Sequence, residues 1–167
     1  IKYGCIKDAA LFEKIAGYAD DAALLADIDS VVATCCAIKA RIVEQDEFDT
    51  GLRMLLNFGH TLGHAVEQHF GYSCFTHGEG VAIGMYQLTK RTEELGMTAK
   101  GSAERIKSVL EKYNLPLTAG VEKAQLLDTM ARDKKKNGNS ITLIILQQIG
   151  EGVLQKVDWQ EVPKYLG

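Results

Sequence analysis

The chain has 167 residues, 46% of them apolar or aromatic and 25% charged, with a net charge of −3. That length suits one compact domain with a sizeable core, and the composition excludes disorder, a collagen-like repeat and a disulfide-stapled miniprotein. A sequence pI near 5.8 gives no basic surface for nucleic acid or an anionic membrane, and no apolar run approaches the ~18 residues that span a bilayer.

Only two prolines and long stretches of Ala, Leu, Glu and Lys favour helix. Asp8 is placed to cap a short helix with apolar positions Leu11, Phe12 and Ile15, stopped at Gly17. Asp20 or Asp21 starts a longer one over about 20–43, whose buried stripe reads Leu25, Ile28, Val32, Cys35 and Lys39. A polar segment leads into a helix over about 51–70, ended by Gly71. The next helix, over about 79–95, buries Val81, Met85 and Leu88 and stops at Gly96. Ser102 caps another, with Ile106, Val109, Leu110 and Tyr113 on one face, broken at Leu115-Pro116. The last helix covers about 122–132, ahead of the cluster Asp133-Lys134-Lys135-Lys136.

The pattern then changes. Residues 141–146 form a continuous, β-branched run, and Gly150-Glu151-Gly152 separates it from 153–157, which reads as an antiparallel hairpin. The expected architecture is mainly α: one multi-helical domain over 1–167 with a small C-terminal β-hairpin. Nothing in it predicts a Gly-rich dinucleotide fold. Cys5, Cys35, Cys36 and Cys74 form no C-x-x-C pair and have apolar neighbours. They read as small reduced hydrophobes, in keeping with a cytoplasmic protein. The opening Ile1-Lys2-Tyr3-Gly4 lacks Met, so the chain reads as a piece of something longer.

The chemistry concentrates on the helix expected over 51–70. There Arg53, Asn57, His60 and His64 follow one another at i, i+4, i+7 and i+11, a polar stripe on one face. Gly59 and Gly63 interrupt that helix at about 1 kcal/mol each relative to Ala, which suggests that another backbone or a ligand comes close. Two histidines four apart can share a metal, and His77 offers a third ligand from just before a helix. Such a set leaves an open position, as catalytic zinc requires. The alternative is that all three are surface or hydrogen-bonded core histidines; His69 has no spacing that links it to the stripe. Lys39 either snorkels or projects charge into a cleft. The run 133–136 is either a solvated face or part of a phosphate site. Together with Lys2 and Arg53, these cations suit an acidic, phosphorylated ligand beside a metal.

Two stretches are specific. They are Gly51-Leu52-Arg53-Met54-Leu55-Leu56-Asn57-Phe58-Gly59-His60-Thr61-Leu62-Gly63-His64-Ala65-Val66-Glu67 and His77-Gly78-Glu79-Gly80-Val81-Ala82-Ile83-Gly84-Met85. Both resemble the helical C-terminal domain of 3-dehydroquinate synthase, and Ile1-Lys2-Tyr3-Gly4 and Asp133-Lys134-Lys135 match the same family at the expected ends. The resemblance implies Zn2+ (or Co2+) held by a Glu and two histidines, which match His60 and His77. His64 is then a catalytic, substrate-side histidine beside the departing phosphate and not a ligand. Arg53 and Lys39 match residues that hold the substrate carboxylate and hydroxyls, Asn57 one near the phosphate, and Lys2 a further substrate contact. Of the lysines at 134–135, Lys135 is taken as a phosphate contact. Asp49 stands at a substrate position where the family has Glu, one methylene longer.

The same resemblance puts the zinc Glu two residues ahead of the position matching Ile1. It puts NAD+ on an N-terminal domain about as long again, outside this chain. The implied reaction converts DAHP (3-deoxy-D-arabino-heptulosonate 7-phosphate), a phosphorylated keto acid, to 3-dehydroquinate and phosphate in the shikimate pathway. NAD+ transiently oxidises a ring hydroxyl, phosphate leaves, hydride returns, and an aldol step closes the ring. The family tends to be homodimeric, and the isolated chain is expected to be inactive. Other readings stay open: a sugar-phosphate cyclase of inosose or valiolone type, a metal-dependent alcohol dehydrogenase relative, or a non-catalytic helical dimerisation module.

Overall fold

Helix begins at the second residue. In the computed structural model α1 (Lys2–Lys7) precedes α2 (Ala9–Gly17), and Asp8 between them accepts the Leu11 backbone N–H, as its position predicts. The structure describes residues 1–46, 48, 51–137 and 139–166, without the side chains of 132–137. Asp49 and the side chains of the 133–136 cluster, Lys135 included, therefore lie outside the described residues.

The single helix expected over 20–43 is two. Asp20 caps α3 (Asp21–Ala26) through the Ala23 N–H, and the chain breaks at Asp27 before α4 (Ile28–Gln45). The buried face also differs. Val31, Ile38 and Ile42 are buried, whereas Leu25, Ile28 and Val32 are exposed. Two apolar stripes run side by side along α4 and share Cys35, and packing selects the one through Val31, with Leu24 of α3 against the same core. Lys39 is exposed on the other.

The helix expected over 51–70 is also two segments: a 3-10 turn, Leu52–Asn57, then α5 (His60–His69). Between them Gly59 adopts a left-handed φ of +80°, which a side chain would strain. There follow α6 (His77–Glu94), α7 (Ser102–Lys112) and α8 (Lys123–Asn137). Ser102 is the first residue of α7 and not its cap; its hydroxyl donates back to the Ala99 carbonyl instead. Helix α8 runs through the lysine cluster that was expected to lie beyond it.

The hairpin forms as read, from β1 (Ser140–Gln148) and β2 (Glu151–Asp158), antiparallel with Ile144 opposite Leu154. Four consecutive residues of β1, Leu143 to Leu146, are buried, because both faces of the strand are covered. Ile144 and Leu146 join a core with Cys5, Ile6, Phe12 and Phe58. Leu143 and Ile145 join a second with Leu62, Leu88 and Met130. The strand's two-residue period thus divides the interior, and α6 reaches into both halves, through Val81 and Met85 on one side and Leu88 on the other. Among the described residues, no helix is long and apolar enough to cross a membrane.

The cysteines are free, but only Cys5 fits the buried-hydrophobe expectation, with burial pushing its thiol up to about 12. Cys36 and Cys74 are exposed.

Candidate metal and substrate site

The site is built on the contact between α5 and α6. A Cβ on Gly84 of α6 would overlap the Gly59 carbonyl oxygen, and one on Gly63 would lie 2.9 Å from the Gly80 carbonyl. The glycines that weaken the helical pattern therefore admit a second backbone, one of the two explanations open from sequence. At the start of α6, Thr76 and Glu79 form a capping box. Glu79 accepts the Thr76 N–H and hydroxyl, both at 2.8 Å. Those hydrogen bonds hold the Glu79 carboxyl below the usual range and fix His77 as the first residue of the helix.

Three histidines converge there. Ring centroids are 5.0 Å apart for His60 and His77, 5.5 Å for His60 and His64, and 5.7 Å for His64 and His77. His60 Nδ1 lies 3.1 Å from the Phe58 carbonyl oxygen. A carbonyl only accepts, so Nδ1 carries the hydrogen and Nε2 keeps its lone pair. Burial pushes the His60 pKa down to about 4. His69 is elsewhere, its ring against Phe70.

Lys2 donates to the Leu56 carbonyl at 2.6 Å, and burial, then the charge of Lys39, lower its pKa. That coupling places Lys39 near Lys2, and Lys2 is also among the charges that lower the His60 pKa. Asp46 organises the turn before Arg53, accepting the backbone N–H groups of Gly51 and Arg53 at 2.8 and 2.9 Å. Beside α5 a cavity of about 260 Å³ is lined by Asn57, His60, His64, Gln68, Thr142 and Trp159 among others. Three members of the stripe, Asn57, His60 and His64, thus line one cavity, carried by a 3-10 turn and a helix meeting at Gly59 and not by one helix face.

Over residues 1–136 the chain matches the family model described as 3-dehydroquinate synthase C-terminal. The chain belongs to that family. A 3-dehydroquinate synthase from Clostridium acetobutylicum is 46% identical over 167 residues, covering 99% of this chain and 47% of that protein. The chain thus spans about half the length of the curated relatives it matches. In fold it is similar to a 2-epi-5-epi-valiolone synthase from Streptomyces hygroscopicus with NAD+ and Zn2+ bound. The TM-score is 0.79 at 21% identity, over 98% of this chain and 47% of the other. It is also similar to a 2-deoxy-scyllo-inosose synthase complexed with carbaglucose-6-phosphate, NAD+ and Co2+. There the TM-score is 0.77 at 18% identity, over 98% of this chain and 48% of the other. The resemblance read from the Gly51–Glu67 block therefore stands, and so does the helical fold.

The donor set suits a borderline metal such as zinc: clustered imidazoles, with a carboxylate, Glu67, within reach. Donor atoms of His64, Glu67 and His77 all lie within 4.8 Å of one another. Sequence reasoning gave no role to Glu67, Asp46, Thr142 or Trp159. Glu67 alone carried a signal, as a carboxylate that continues the His60 and His64 stripe at i+7 and i+3.

Proposed function

We propose that this chain is the metal- and substrate-binding half of a 3-dehydroquinate synthase that converts DAHP to 3-dehydroquinate and phosphate. The observation that carries this reading is the convergence of His60, His64 and His77 in a chain of this family. His60 and His77 are the histidine ligands of a zinc or cobalt ion, completed by a Glu from outside these residues. Bound there, the ion supplies Lewis acidity toward a substrate hydroxyl.

The chain's own residues bind and orient. Lys2, Lys39 and Arg53 hold the carboxylate and hydroxyls, and Asn57 and Lys135 the phosphate, with Asp49 a further contact. Fixed cations favour this chemistry because they hold two anionic groups in register while charge redistributes between them. His64, on the cavity wall one helical turn from His60, moves a proton at the departing phosphate. Among the described residues the only sheet is a two-stranded antiparallel one, not the βαβ unit that cradles a dinucleotide. NAD+ belongs on an N-terminal half, and the working protein is a cytoplasmic homodimer.

Expressed from its whole reading frame with zinc and NAD+, the protein releases inorganic phosphate from DAHP. His64→Ala lowers that release about 100-fold or more while zinc content holds. The 167 residues alone turn over no DAHP. Turnover of an inosose- or valiolone-type precursor but not of DAHP would overturn the substrate.

A further inference from the structure

Glu67 is a carboxylate with 6% of its surface exposed, on the same face of α5 as His60 and His64, seven and three residues before it. Acidic side chains are almost never buried so deeply unless paired. Its partner is His77, whose Nδ1 lies 3.1 Å from Glu67 Oε1. Gly80 permits the approach, since a Cβ there would sit 3.2 Å from Glu67 Cγ. The capping box of α6 holds the other end of the pair, with His77 next to the cap residue Thr76.

We infer that Glu67 is a positioning residue: it holds His77 in the Nδ1–H tautomer and leaves Nε2 as the nitrogen that binds metal. An ionised carboxylate only accepts, so the hydrogen between the two must sit on Nδ1. His60 meets the same condition by another route, through the Phe58 carbonyl at 3.1 Å. Two histidines thus have an acceptor behind Nδ1. His64 has ring contacts with both of them and no such acceptor among the described residues. This asymmetry separates a ligand pair from the third histidine, and it arises within α5, α6 and the turn between the 3-10 segment and α5. A carboxylate behind a ligating imidazole both orients the ring and raises its basicity. The competing role is direct ligation, because the donor atoms of His64, Glu67 and His77 lie within 4.8 Å of one another. Burial and the bond to Nδ1 favour the positioning role.

The inference rests on the proposed metal reading only for the use of Nε2; the tautomer itself does not depend on metal. In metal-stripped whole-length protein labelled with 15N-histidine, the His77 signals are identified by their loss in His77→Asn. They report Nδ1–H in the parent and in Glu67→Gln, whose amide oxygen still accepts, and a shift toward Nε2–H in Glu67→Ala. Zinc affinity, measured by chelator competition, falls about 10- to 100-fold in Glu67→Ala and recovers in large part in Glu67→Gln. An Nε2–H His77 in the parent overturns the inference, as does a Glu67→Ala protein with unchanged tautomer and affinity. Equal losses in the Gln and Ala variants, with a changed Co2+ absorption spectrum, make Glu67 a ligand and overturn it too. If His60→Ala leaves zinc affinity unchanged, the metal reading fails, and the His77 tautomer still decides the role of Glu67.

Discussion

The Nδ1 of His60 is fastened to the carbonyl oxygen of Phe58, 3.1 Å away, at the point where the chain leaves the 3-10 turn for α5. Burial is the largest influence on the His60 ring and pushes its pKa down to about 4; the Phe58 bond opposes this, and Lys2, His77 and His64 add to it. The ring is therefore neutral where a metal ligand must be. The folded pKa lies below the unfolded value near 6.5, so the unfolded chain binds more protons between about pH 4 and 6.5. Stability from this group is present above that window and is lost as pH falls through it. In metal-free protein the His60 C2–H resonance should still report a neutral ring at pH 5.5. A midpoint near 6.5 would show that burial does not govern the site.

Lys2 joins the N-terminal helix to the turn that carries Arg53 and Asn57, through the Leu56 carbonyl at 2.6 Å. Burial and then Lys39 lower its pKa, so the ammonium lacks a full solvent shell and gains from an anion nearby. Lys2→Met keeps the apolar stem and removes the charge. A charge-assisted hydrogen bond is worth about 1.5–3 kcal/mol, so kcat/KM for DAHP in the whole-length enzyme should fall about 10- to 100-fold, mostly through KM. Zinc content should not change. A normal KM would remove Lys2 from the substrate site.

What the sequence made legible were features with a local cause. Asp8 caps α2 because a carboxylate three residues ahead of Leu11 satisfies its N–H, and the hairpin follows from a β-branched run between glycines. The breaks were hidden. Leu52, Leu55, Leu56 and Leu62 keep helical spacing across Gly59, so periodicity alone joins a 3-10 turn to a helix. The apolar spacing of Leu25, Ile28 and Val32 likewise runs through Asp27. At the site, His60, His64 and His77 could be named from spacing and motif. Glu67 continues the same spacing, three residues after His64, but its pairing with His77 depends on which residue of α6 faces it, and Gly80 decides that.

The capping box should matter to the metal as well as to the helix. Thr76 is exposed, yet its hydroxyl accepts the Glu79 N–H at 3.4 Å and donates to the Glu79 carboxylate at 2.8 Å. Thr76→Ala should cost about 0.5–2 kcal/mol of stability in denaturant unfolding and should weaken zinc binding, because His77 is the first residue to fray. Thr76→Ser should restore both. Weaker stability with unchanged zinc affinity would show that His77 is held by Glu67 and not by the helix end.

The closest backbone approach gives the strictest test of how the site is assembled. Gly84 faces the Gly59 carbonyl, with no room for a Cβ between them, and the neighbour is backbone and cannot swing aside. Gly84→Ala must push α6 from α5 at the level of Gly59, directly before His60. Overpacking of this kind costs about 1–3 kcal/mol, and the displacement should also widen the His60–His77 separation, which is 5.0 Å between ring centroids. Lower stability and weaker zinc binding are therefore expected together. Gly17→Ala is the control. Nothing lies within 4 Å of a Cβ there, so the same chemical change should leave zinc binding alone and stabilise the chain by about 0.4–1 kcal/mol through the unfolded state. A Gly84→Ala protein that unfolds more easily but binds zinc as tightly as its parent would show that the ligand pair tolerates movement of the helices carrying it. The glycines would then serve packing and not the metal.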